Sequence, residues 1–231
     1  MSIFKPMTVT CPSCEEAFEI DAAESVNADR RPDLRDAIID GSFQVMTCPS
    51  CGEGFRLDPV FNYLDIGRGQ WLSVQPLERL TEWIEEEDET IETFEGAFGS
   101  GAPASIRDLR DGMSARLTFG WAALREKIVA KEAGLDDVTL EMTKLALIQG
   151  IGDAPLAPGN ELRLEAVDGD EFEMNWIDAR TNGLVQQMRV PRALYDGIAE
   201  DPEAWDEIRK SLETGPFVDM QKLYMGEGRE A

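Results

Sequence analysis

The chain has 231 residues, is 42% apolar, and carries 46 acids against 22 bases with no histidine, for a formal net charge of -24. That size suits one large folded unit or two modest ones. The charge argues against nucleic acid as a partner, because phosphate binding needs a cationic stripe that no segment offers. No stretch approaches the roughly 20 apolar residues of a membrane span. The start, MSIFKPMTVTCPSC, has no basic head and no apolar signal run. A cytoplasmic protein is therefore expected, where thiols stay reduced and paired cysteines read as metal ligands.

Residues 1–80 predict short strands around two tight cysteine turns, with Phe43, Val45, Phe55, Leu57, Tyr63, Leu64, Trp71 and Val74 at β-prone positions. Cys11, Cys14, Cys48 and Cys51 stand in two copies of Cys-Pro-Ser-Cys. That spacing matches a zinc ribbon, in which each turn offers two sulfurs to one tetrahedral ion. Gly52 follows the second knuckle and can take the positive φ often needed there. Glu15 holds the matching place in the first, which predicts a less regular turn. With no histidine to replace a thiolate or act as a base, the expected site is closed and structural, holding one Zn2+. Between the knuckles, Pro32, Leu34, Ile38, Ile39 and Gly41 mark a helix, read as an insertion within the 33-residue gap.

Residues 81–105 carry eight acids and no base. TEWIEEEDETIETFE predicts a solvated helix with Trp83, Ile84, Ile91 and Phe94 on its apolar edge, and GAFGSGAPAS then reads as a flexible linker. Its run from Glu85 to Glu89 lacks the alternation and glycine of a calcium loop. Gly96, Gly99 and Gly101 lack the lysine of a phosphate loop. Trp83 is the tryptophan to watch for exposure, whereas Trp71, Trp121, Trp176 and Trp205 fall on core faces.

Residues 106–231 predict an α+β domain. MSARLTF reads as a strand. Trp121, Leu124 and Ile128 mark a helix ending at Gly134, with Glu126, Lys127, Lys131 and Glu132 as surface pairs. A second helix starts at an Asp136 cap, with Leu135 and Leu140 as a hydrophobic staple, and closes at Gly150 and GDAPLAPGN. Leu162, Leu164, Ala166, the Asp168-Gly169-Asp170 turn, and Phe172, Met174 and Trp176 form a hairpin, which Leu184 to Val190 extends. A last helix is expected from Asp201 and Pro202, with Trp205, Ile208 and Leu212 on one face before Gly215. The predicted fold is thus α+β: a zinc-ribbon-like β domain with a helical insertion, then a helix pair and an antiparallel meander.

The two knuckles, with VNADRRPDLRDAIIDGSFQVMTCPSCG, FNYLDIGRGQWL and LREKIVAKEAGLDD, make the chain resemble the CpXC domain family of bacterial and archaeal proteins, from Cys11 to about Asp137. The resemblance implies a role only for the four cysteines, as metal ligands. It departs at Tyr63-Leu64-Asp65, where relatives carry a Tyr-His-Asp-like step. No nucleophile or base constellation is visible, so a non-enzymatic adaptor that contacts another protein, possibly a basic one, is expected. The alternatives are a redox-responsive zinc-thiol protein and a nucleic-acid-binding zinc ribbon, which the charge disfavours.

Overall fold

The computed structural model describes residues 1–152 and 154–225. Asp153, in the loop expected after the second C-terminal helix, and 226–231, the end of the expected C-terminal domain, lie outside the described residues. Strands β1 (Ile3–Thr10) and β2 (Ala17–Asn27) form an antiparallel hairpin with the first knuckle at its tip. Helix α1 (Pro32–Ile39) begins on the expected proline, whose fixed φ and missing N–H suit a first turn. It buries Leu34 and Ile38 and is followed by Gly41 at φ 83, a left-handed stop that favours glycine. The gap between the knuckles thus holds a strand on either side of the helix. A second, smaller hairpin, β3 (Val45–Thr47) and β4 (Gly54–Arg56), carries the other knuckle. Strands β5 (Phe61–Asp65) and β6 (Gln70–Gln75) follow.

The expected acidic helix is α2 (Trp83–Phe98), but it is packed, not solvated. Trp83, Glu87, Thr90, Phe94 and Phe98 are buried at steps of three or four that make one face, and Glu86 is buried beside them. Ile91, assigned to that face from the sequence, is 41% exposed. Two acids of the run are inside because they have partners. Glu86 pairs with Arg79, and Glu87 accepts from Phe217 N at 3.0 Å and Lys222 Nζ at 3.0 Å. Trp83, expected as a candidate exposed ring, is buried against Phe217 and under the Lys222 ammonium, 5.0 Å from its ring centre. Nor is the glycine-rich run a free linker: Phe98 and Ala102 are buried, Phe98 stacks on Phe94 at 5.0 Å, and α3 (Ala104–Arg107) follows.

Strand β7 (Ser114–Phe119) pairs in parallel with β6. The main sheet is therefore five-stranded in the order β1-β2-β5-β6-β7. It runs straight through the division expected at residue 105. Helix α4 (Gly120–Glu132) crosses that division as well: Trp121, Leu124 and Ile128 pack with Val26, Tyr63 and Leu72, while Ala130 belongs to the C-terminal core. Covered on both sides, α4 buries Glu126 and Lys127, which the sequence had suggested as surface pairs.

Helix α5 (Asp137–Gly150) starts as expected. Thr139 N donates to Asp136 Oδ1 at 2.8 Å, and Leu135 and Leu140 are buried together. Asp136→Ala is expected to cost about 1 kcal/mol, read from the denaturant midpoint. Strands β8 (Asn160–Asp168), β9 (Glu171–Asp178) and β10 (Gly183–Pro191) make an antiparallel sheet in the order β10-β9-β8. Leu162, Leu164, Phe172, Met174 and Trp176 point into the core, and a register shift after Leu164 takes Ala166 out of the alternation. Helix α6 (Arg192–Glu200) was not expected. Tyr195 and Ile198 anchor it, but Pro191 and an interior glycine mask its pattern. The last helix, α7 (Asp206–Glu213), begins later than predicted, because Asp201 accepts from Ala204 N at 3.3 Å to close a turn ahead of it.

The chain then folds back, and Leu117 N of β7 donates to Pro216 O at 2.9 Å. Gly215 permits this return, with φ at 83 and a position where a Cβ would lie 2.4 Å from Glu87 Oε1.

Candidate metal centre

Each knuckle is a short turn at a hairpin tip, closed by the same two backbone bonds. Cys11 N donates to Glu16 O (2.9 Å) and Glu15 N to Cys11 O (3.0 Å). Cys48 N donates to Glu53 O (2.8 Å) and Gly52 N to Cys48 O (2.9 Å). Glu15 sits at φ 60 and Gly52 at φ 77. The two turns share the same bonding, but the first holds a non-glycine residue in the left-handed region, the less ideal arrangement expected at Glu15. Glu15→Gly is expected to raise stability by about 0.5–1 kcal/mol, read as a higher denaturant midpoint at unchanged slope.

The sulfurs of all four cysteines lie within 4.8 Å of one another. Two approaches cross between knuckles, Cys11 to Cys51 and Cys14 to Cys48, each 3.7 Å. Cys11 and Cys48 are buried, whereas Cys14 and Cys51 are exposed. An edge-to-face contact of Phe18 with Phe55, centroids 6.2 Å apart, packs the two hairpins against each other.

The thiols perturb one another. Backbone bonding at Cys51 is the largest of the effects that hold Cys48 down at about 7. At Cys14 the Glu16 backbone bond lowers the pKa, but the Cys51 thiol, burial and the other thiols outweigh it and push the group up to about 12. A cation held by Cys11, Cys14, Cys48 and Cys51 would resolve that conflict by stabilising all four thiolates. Among the described residues this is the one grouping of three or more cysteines and acids whose ligand atoms could hold an ion.

Sequence reasoning missed a second cluster, of buried charges. Lys144 Nζ lies 2.9 Å from Glu126 Oε1 and 2.7 Å from Glu141 Oε2. Arg163 reaches Glu126 (3.1 Å), Glu161 (2.6 Å) and Asp219 (2.7 Å). Lys127 reaches Asp137 at 3.0 Å and Val218 O at 2.6 Å. These groups come from α4, α5, β8 and the C-terminal return, so no local spacing advertises them. Positive and negative groups interleave, and the cluster joins elements together.

Glu141 is the exception in balance: burial outweighs the pull of Lys144 and pushes it up to about 7. A carboxyl raised from 4.5 binds its proton more tightly when folded, so its contribution is full below pH 4.5 and is lost as pH rises through 7. Glu141→Gln is expected to flatten that part of the stability profile in denaturant titrations between pH 4.5 and 7.

No helix among the described residues is long and apolar enough to cross a membrane. The family described as CpXC protein matches residues 9–144, which include both knuckles, β2, β5, β6 and β7 of the five-stranded sheet, and α4. No curated protein and no solved structure matches the chain.

Proposed function

The chain belongs to the CpXC family, and on that premise we propose that Cys11, Cys14, Cys48 and Cys51 bind one structural zinc ion in a protein that works through contacts with another protein and not through catalysis. The spacing of the sulfurs carries this reading. Zinc–thiolate bonds of about 2.3 Å in a tetrahedron require sulfurs about 3.8 Å apart, and the cross-knuckle pairs stand at 3.7 Å. Two hairpins, each lending a Cys-x2-Cys turn, support a zinc-ribbon assignment. Four thiolates leave no open position for water or substrate. The reading takes the compartment to be the cytoplasm, where such thiolates persist.

Elemental analysis of the purified protein tests the ion: one zinc per chain is expected, and a different metal or none would refute the assignment. The net charge of -24 favours a basic partner over nucleic acid. Affinity capture from the protein's own cells should recover a basic protein whose retention falls with salt. Binding of an oligonucleotide at low salt would count against this choice.

Exposure of Cys14 and Cys51 supports a second reading, a zinc site released by oxidation. Under mild peroxide the structural reading expects zinc to be retained, and stoichiometric release with loss of titratable thiols would select the redox one.

A further inference from the structure

A cavity of about 340 Å³ opens where the end of α1, β4, α4, β8 and β9 meet. That volume suits a small metabolite, and a junction of elements is where ligand pockets concentrate. Its walls hold three arginines, Arg56, Arg125 and Arg163, and the carboxylates of Asp40 and Glu165, on a chain whose net charge is -24.

Arg163 is engaged below by the buried cluster, and Arg125 pairs with Glu165 while its Nε donates to Ile39 O at 2.6 Å. Arg56 is different. Its Nε donates to Phe43 O at 2.9 Å and its guanidinium lies 3.7 Å from the centre of the Trp121 ring, yet Nη2 is buried without a hydrogen-bond partner. No carboxylate among the described residues forms an ion pair with it. Burial pulls its pKa down to about 10, opposed by the charge of Asp40 alone. A partly buried cation without an acid partner is costly, and the expense is recovered when an anion arrives. Asn175 lines the same cavity, and its Oδ1 is likewise buried without a partner.

We propose that this cleft binds a small organic oxyanion that also carries a hydroxyl group, the anion facing Arg56 and Arg125 and the hydroxyl facing the Asn175 carboxamide. Ile39, Leu164 and Ile177 line the same cavity and accept a short carbon body. Leu164, Asn175 and Ile177 lie beyond residue 144, outside the region that matches the family. The site therefore belongs to the union of the family region with the C-terminal sheet.

Calorimetric titration of the full-length metal-bound protein with glycerol 3-phosphate, malate and neutral glycerol tests this. One of the two anions should bind saturably at one per chain, more weakly as salt rises, and glycerol should not bind. Which anion binds identifies the oxyanion as phosphate or carboxylate. Arg56→Gln should weaken binding roughly tenfold or more, the effect of losing a charge-assisted hydrogen bond. Because Arg56 also packs on Trp121, Asn175→Leu provides an independent arm. It removes an unpartnered carboxamide oxygen, should leave the fold intact, and should also lower affinity. The proposal is overturned if neither anion binds saturably, if glycerol binds as well as they do, or if folded Asn175→Leu binds like the wild type.

Discussion

Cys48→Ser is expected to empty the metal site and unfold both knuckles while leaving the five-stranded sheet in place. Structural zinc in finger peptides is worth about 10–16 kcal/mol, because the unfolded chain has no preformed site. Cys48 is 1% exposed, and its sulfur is 3.7 Å from that of Cys14. A serine there has no thiolate to give. The hairpin β3 and β4 has only three residues per strand, with Val45 50% exposed, and a two-stranded hairpin of that size is marginal alone. Strands β5 and β6 have their own support, since Phe61, Tyr63, Leu72 and Val74 pack with Val26, Ile38 and Trp121. Hydrogen exchange should therefore show the amides of residues 45–47 and 54–56 accelerated by a factor on the order of 100 or more, with those of β5 and β6 scarcely changed. Zinc per chain should fall from one to near zero. A variant that keeps its metal and its knuckle protection would falsify the structural role. Loss of protection throughout the sheet would mean instead that the ion supports the whole N-terminal half.

The division between what the knuckle supports and what the sheet supports could not be read from the sequence. Signals confined to a few residues were legible: the two Cys-x2-Cys turns, Pro32 and Gly41 around α1, the Asp136 cap with its Leu135 and Leu140 staple, and the turn at Gly169. Each depends on backbone chemistry within one turn. Pairings across the chain were not legible. Joining β7 to β6 requires the long crossover through α2, and nothing in SARLTF says which strand it meets. Charge misled for the same reason. Glu86, Glu87, Glu126 and Lys127 look like solvated residues until their partners arrive, and those of Glu87 and Glu126 lie far off, at Phe217 and Lys222, and at Lys144 and Arg163. The cysteine cluster survived because four thiols at matched spacing imply their own meeting point.

Arg163→Met carries the other large effect, a loss of about 3–5 kcal/mol, the usual result of removing one partner from a buried ionic cluster. For a chain of this size that lowers Tm by roughly 6–20 °C, at about 2–4 °C per kcal/mol. Methionine matches much of the arginine's bulk, so the loss comes from Glu126, Glu161 and Asp219 left facing one another with less compensation. Lys210→Ala is the contrasting control: its pair with Asp206 is 73% and 53% exposed, and its removal should change stability little.

The pH dependence separates lost charge from lost packing. Burial alone would push the Asp219 carboxyl up, but the charges of Arg163 and Lys144 more than reverse this and hold it far below the usual range. A carboxyl depressed in the folded state stabilises above its unfolded value of 3.8, and that contribution is lost as pH falls toward the folded value. Without Arg163 the depression shrinks, and so does the contribution. The gap in unfolding free energy between wild type and Arg163→Met should therefore be widest near neutral pH and close as pH drops below 3.8. A gap that stays constant as pH falls well below 3.8 would assign the loss to packing, and the cluster would then be a filled volume and not an electrostatic tie.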